Sequence, residues 1–157
     1  MEEYNHNKYM RMAFEQAALA EKAQEVPIGA VIVAGETGEV IAKAHNQTIT
    51  LSDPSAHAEI LAIRAACQVK DTQRIPDCVL YVTLEPCAMC AAAISYARLS
   101  HIYYGAADPK SGGLNQGPKI YDHATIHHKP DVTGGIMAEE CGQILSDFFK
   151  ARRDKNA

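Results

Sequence analysis

From about Asn7 to Ala23, Met10, Ala13, Phe14 and Ala17 recur at three- and four-residue intervals, which predicts an amphipathic helix near the start of the chain. Val26-Pro27-Ile28-Gly29 stops it. Two short apolar runs, Ala30 to Val33 and Val40 to Ala44, follow on either side of Ala34-Gly35-Glu36-Thr37-Gly38-Glu39 and read as a hairpin. After a loop through Asn46 and Asp53, a second helix is expected from near His57 to about Val69, with Ile60, Ile63 and Cys67 on its apolar face. A polar stretch, Asp71 to Asp77, then contains Pro76. Val79 to Thr83 is apolar without alternation, as in a strand covered on both faces. A helix from about Cys87 to Ala97 and a strand from His101 to Gly105 complete a strand-helix-strand unit, which implies a right-handed crossover between two parallel strands. Such sheets gather chemistry at the carboxyl ends of their strands, where Glu85, Pro86 and Cys87 lie. Ala106 to Gly135 is rich in Gly, Pro and His and has only a weak pattern, and a last helix carries Met137, Cys141, Ile144 and Phe148 as its stripe. With no repeat, linker or low-complexity segment, the pattern implies one α/β domain over residues 1–157.

Size changes little in this picture, since a chain of 157 residues can bury on the order of 70% of its unfolded surface without a covalent staple. Charge changes more. A net charge of -4 and a pI of 5.9 argue against indiscriminate coating of nucleic acid, so any RNA contact must be focused. The start, Met1-Glu2-Glu3, is acidic, and no apolar run approaches the roughly 18 residues of a membrane span. Neither export nor insertion is indicated, and the cytoplasm is the expected compartment. Of five cysteines, Cys67, Cys78 and Cys141 sit among apolar residues and read as reduced packing groups.

The other two carry the candidate chemistry. His57-Ala58-Glu59 and Pro86-Cys87-Ala88-Met89-Cys90 together offer one imidazole, two thiols and a spare carboxylate. A structural zinc site is usually closed by four protein ligands, whereas a catalytic one keeps three and leaves a position open for water. Cys87 and Cys90 are three residues apart and so neighbours on one helix face, and Pro86 favours a helix start there. Asp53, Pro54 and Ser55 give a similar signal ahead of His57, so two helix N-termini are expected to converge on one metal. Glu59 points away from the imidazole's bearing and is better placed to carry protons than to ligate, as hydrolytic deamination requires. Either half alone is weak: Cys-x-x-Cys also serves redox dithiols, and His-x-Glu occurs by chance. His123, His127 and His128 are more simply surface or capping groups.

These motifs resemble those of the cytidine-deaminase superfamily of zinc hydrolases, and more closely the bacterial tRNA-specific adenosine deaminases. The likeness runs nearly end to end, through Val26-Pro27-Ile28-Gly29-Ala30-Val31, Asn46, Asp53 to Glu59, Tyr81 to Cys87, and Asp147-Phe148-Phe149 with Arg152-Arg153. It implies a three-layer α/β/α sandwich around a mixed five-stranded sheet, a homodimer, and conversion of adenosine to inosine at the wobble position of a tRNA anticodon. By the same resemblance His57, Cys87 and Cys90 hold one zinc ion per subunit and Glu59 shuttles protons. Asn46 and the backbone at Ala58 hold the flipped base, and Ile28 and Leu84 shape its pocket. Asp108 and Lys110 meet the anticodon sugars and phosphates, and Phe149 with Lys150, Arg152 and Arg153 stacks on and neutralises the RNA; read alone, Asp108 to Gly112 is an ordinary turn and the basic run a solvated helix end. Two features depart from the family pattern, Ala107 before Asp108 and the segment Ser111 to Lys119. The competing functions are a deaminase of free guanine, cytosine or their nucleosides, a zinc-stabilised RNA-binding module without chemistry, and a redox dithiol protein. Ala91-Ala92-Ala93-Ile94 after Cys90 differs from the Arg-Gln continuation of free cytidine deaminases.

Overall fold

The computed structural model describes residues 3–156; Met1 and Glu2, part of the acidic start, lie outside the described residues. Helix α1 (Glu3–Lys22) leads into the hairpin β1 (Gly29–Ala34) and β2 (Val40–His45). Then come α2 (Ala58–Lys70), β3 (Cys78–Leu84), α3 (Ala88–Ala97), β4 (His101–Ala106), β5 (Asp131–Thr133) and α4 (Ala138–Asn156). The sheet runs β2-β1-β3-β4-β5. β1 is antiparallel to both neighbours, while β3, β4 and β5 are parallel, so the sheet is mixed and five-stranded.

Period-two alternation sorts the core onto the two faces of this sheet. Ala30, Ile32, Leu80, Val82 and Ile102 face α2 and α3, while Val31, Val33, Val79 and Tyr81 face α1 and α4. That gives three layers, α/β/α. Ile32, Leu80 and Ile102 are fully buried, each contributing about 1.5–3 kcal/mol by leaving water. α1 lies so close to β1 that a Cβ on Gly29 would collide with the Ala13 carbonyl oxygen, so only glycine fits where the two elements meet.

The structure corrects the sequence reading at three points. α2 buries Ala58, Ala62 and Ala66 rather than the Ile60, Ile63 and Cys67 stripe, because small side chains let the helix lie close to β1 and β2. β5 and a 3-10 turn at Ile120–Asp122 lie in the weakly patterned segment and were not anticipated as elements. In the last helix, Leu145 is buried beside Cys141 and Phe148, with Ile144 only partly covered and Met137 just ahead of the helix.

Candidate active site

β3 ends at Leu84, and the chain then passes through Glu85 and Pro86 to α3, whose N-cap is Cys87. His57 is the N-cap of α2. Both caps are extended, with φ -70° and ψ 155° at His57 and φ -72° and ψ 174° at Cys87. Neither spends its side chain on a cap hydrogen bond, so imidazole and thiol are left for other work. The expected helix-start signals act differently from the reading above. Pro86 precedes the N-cap instead of occupying the first helical position, because Cys87 must be extended there. Asp53 turns back on its own loop, accepting the Ser55 N–H at 2.9 Å and the Ser55 hydroxyl at 2.7 Å, and leaves the cap to His57.

Two helix N-termini do converge. His57 Nδ1 lies 3.6 Å from Cys87 Sγ and 3.4 Å from Cys90 Sγ, and the three ligand atoms lie within 4.8 Å of one another. A tetrahedral zinc ion with Zn–N near 2.0–2.1 Å and Zn–S near 2.3 Å sets nitrogen and sulfur about 3.6 Å apart. The donors present therefore match zinc in both kind and spacing.

Glu59 stands in the first turn of α2, 4% exposed. Burial is the main force raising its carboxyl, to about 7, and the negative charge of Cys87 adds to it, while its own backbone N–H, His57 and the Cys90 thiol pull the other way. The two sulfurs differ. A hydrogen bond from Cys90 is the main cause that takes the Cys87 thiol down to about 4, against burial and with help from His57, and Cys90 is itself pushed up. His57 is raised, first by its hydrogen bond with Cys87, against desolvation.

His57, Glu59 and Cys87 border a cavity of about 820 Å³, with Cys90 buried behind them. Ile28, Leu84, Leu145 and Phe149 supply apolar wall, His57, Glu59 and Cys87 the reactive lining, and Asp108, Lys110, Ser111, Arg152 and Arg153 polar lining near solvent. A model of MafB19-like deaminases matches residues 4–153. The chain belongs to this deaminase family. The tRNA-specific adenosine deaminase of Agrobacterium fabrum is 48% identical over 145 residues, 92% of this chain and 94% of that protein. That of Bacillus subtilis is 44% identical over 147 residues, 94% and 90% of the two chains. A solved structure from a study of A-to-I editing by tRNA:A34 deaminases at the wobble position of transfer RNA superposes with a TM-score of 0.85 at 48% identity, covering 88% of this chain and 99% of that one. Guanine deaminase from Bacillus subtilis superposes with a TM-score of 0.63 at 31% identity, covering 98% and 95%.

Not every anticipated residue of this deaminase borders the cavity. Ala58 is fully buried at the start of α2. Asn46 is 5% exposed and engaged locally, its Nδ2 donating to the Val26 carbonyl and its Oδ1 accepting the Thr48 N–H, both at 3.4 Å. Asp108 Oδ1 accepts the N–H groups of Lys110 at 3.1 Å and Ser111 at 3.0 Å, the ordinary turn expected of such a sequence. Arg152 lines the cavity, yet its guanidinium lies 4.8 Å from the Phe148 ring centroid and donates to the Gln24 carbonyl at 2.9 Å. His123 and His128 bond the carbonyls of Pro118 and Leu99 at 2.9 and 2.7 Å, away from the metal ligands. Glu85, placed by the sequence at a strand's carboxyl end but given no role, lines the cavity, as do Ser111 and Leu145, which carried no signal as site residues.

Proposed function

We propose that this deaminase converts adenosine to inosine at the wobble position of a tRNA anticodon, with one zinc ion per subunit at His57, Cys87 and Cys90. The observation that carries the reading is the convergence of those three donors beside a cavity lined by His57, Cys87 and the buried Glu59, in a chain that matches tRNA-specific adenosine deaminases over nearly its whole length. When bound, zinc supplies Lewis-acid activation of water for attack at adenine C6. Glu59 takes one proton of the attacking water and hands it to ring nitrogen N1, then carries the second, from the new C6 hydroxyl, to the amine, which leaves as ammonia while the C6 carbonyl forms. Ile28 and Leu84 wall the flipped base, and Asn46, whose backbone N–H donates to the Ile28 carbonyl, and the Ala58 backbone next to His57 hold it from behind that wall. An unpaired loop nucleotide costs little to unstack, which suits a cavity of this kind.

Around it, Asp108 and Lys110 meet anticodon sugars and phosphates, Phe149 stacks, and Arg152 and Arg153 neutralise charge. Arg152 carries five donors, so the bond to Gln24 leaves others for phosphate. The protein acts as one domain over residues 1–157 and as a homodimer in the cytoplasm. Met89 and Tyr96, seven residues apart on α3, share an exposed stripe at 40% and 78%, which supports pairing of two copies. No helix among the described residues is long and apolar enough to cross a membrane.

Deamination of an anticodon stem-loop should be measured beside guanine, cytosine and their nucleosides, the first of these being a substrate that the 31% identical guanine deaminase structure keeps in play. Inosine in the stem-loop is expected. Turnover of guanine with the stem-loop untouched refutes the substrate assignment. Glu59→Ala should keep its zinc by elemental analysis and lose roughly 10²–10⁴-fold in turnover. Equal rates would remove Glu59 from proton transfer, and absence of metal with a reversible Cys87–Cys90 disulfide would mark a redox dithiol.

A further inference from the structure

Glu85 is 2% exposed, and no Lys or Arg among the described residues forms an ion pair with it. Its carboxylate is satisfied by backbone alone. Oε1 accepts the N–H of Asp108 at 3.1 Å, and Oε2 accepts those of Leu114, Asn115 and Gln116 at 3.1, 2.9 and 3.1 Å. All four donors belong to one segment, the loop that brings Asp108, Lys110 and Ser111 to the cavity. The same loop is stitched to the turn bearing Cys87, since the Gly113 N–H donates to the Pro86 carbonyl at 2.8 Å and Gly112 bridges Cys87. No slack remains between them. A Cβ on Gly112 would lie 2.7 Å from Glu85 Oε2 and 2.6 Å from the Asp108 carbonyl.

We propose that Glu85 is a positioning residue, a buried carboxylate around which the 108–116 loop is wound so that Asp108 and Lys110 stand at a set distance from Cys87. The proposal rests on reading the cavity as the RNA site. Between Ala107 and Gly117 only Leu114 buries a large apolar side chain, so packing alone gives this loop little to hold it in place. Hydrogen bonds to a carboxylate are roughly twice as strong as neutral ones. Three N–H groups meeting on one oxygen require an acceptor that donates nothing. Glutamine cannot supply this at both positions, because its amide offers one oxygen and turns an NH₂ toward donors. The bonds reach backbone, not side chains, so the unusual residues from Ser111 to Lys119 are admitted provided position 112 stays small.

The test compares wild type, Glu85→Gln and Gly112→Ala, the latter displacing the loop while leaving the carboxylate in place. Both variants should keep the zinc content of wild type. KM for an anticodon stem-loop should rise on the order of tenfold, well beyond any fall in kcat, as expected when substrate positioning is lost and the chemical groups are not. Amide exchange at Leu114, Asn115 and Gln116 should accelerate by about tenfold or more. Unchanged KM and unchanged loop exchange in both variants overturn the proposal. So does loss of zinc with loop amides as protected as in wild type, which would assign Glu85 to the metal-bearing turn. If Glu85→Gln does not fold, Gly112→Ala and the wild-type exchange decide, and wild-type loop amides exchanging at unfolded-chain rates overturn it. If wild type leaves the stem-loop untouched, the proposed function fails while the exchange comparison still decides the role of Glu85.

Discussion

Glu25 is fully buried beyond the end of α1, and its two oxygens accept the N–H groups of Ile49 at 3.2 Å and Thr50 at 2.6 Å. It does for the loop ahead of α2 what Glu85 does for the loop beyond β4. Burial works to raise its pKa, but the bonds from Thr50 and Ile49 and the nearby His45 outweigh it, and the carboxyl stands below its ordinary 4.5. A depressed carboxylate contributes stability that is fully present above the unfolded value and lost as pH falls through the folded one. The stability difference between wild type and Glu25→Gln should therefore grow slightly as His45 gains its proton below its lowered pKa, and shrink as pH drops below about 4.5, where a protonated acid and an amide become nearly equivalent. Denaturant midpoints measured from pH 7 to 3 check this, and a pH-independent difference would show that the charge contributes nothing. Glu25 was silent in the sequence and Glu85 showed only its place at a strand end, because the partners of both are backbone N–H groups, which nearly every residue carries and only the fold assembles. The gathering of His57, Cys87 and Cys90 was legible because the two motifs, each weak alone, make a metal-binding set together.

Among the elements, legibility follows how much of the pattern comes from large side chains. β1 and β3 are dense in β-branched and aromatic residues, and their expected ranges differ from the observed Gly29–Ala34 and Cys78–Leu84 by one residue at either end. The parallel pairing of β3 with β4 also followed from the helix between them. α2 was legible as a helix but not in its orientation. A face of Ala58, Ala62 and Ala66 scores as only mildly apolar, yet it is the face that lets the helix approach the sheet and bring its N-cap, His57, toward Cys87. Ile60 and Ile63 are partly covered on flanking bearings. β5 is three residues long, with Asp131 and Thr133 exposed on either side of Val132, so its alternation is too short to mark a strand and it has no apolar run. It exists because β4 presents an open edge for Asp131, Val132 and Thr133 to pair with, a tertiary cause invisible to any local window.

At the scale of the molecule, the cluster of His57, Cys87 and Cys90 that could hold a metal ion joins parts of the chain 30 and 33 residues apart, but it sits at one end of a sheet whose core is complete without it. Ala62, Leu80, Ile94 and Ile102 on one face and Met10, Val31, Tyr81 and Cys141 on the other are buried independently of any ion. Zinc binding should therefore add to stability by mass action rather than create the fold, unlike a small zinc finger, which is unfolded without metal. At free zinc about 100 times Kd the added stability is about 2.7 kcal/mol. For a chain of this size each kcal/mol moves Tm by about 2–4 °C, so chelation under reducing conditions should lower Tm by about 5–10 °C. Far-UV circular dichroism should change little, turnover should disappear, and added zinc should restore it. Loss of the cooperative transition on chelation would instead show that convergence of the α2 and α3 N-termini is needed to hold the sheet and its helices together, and would make the ion a structural element as well as a reagent.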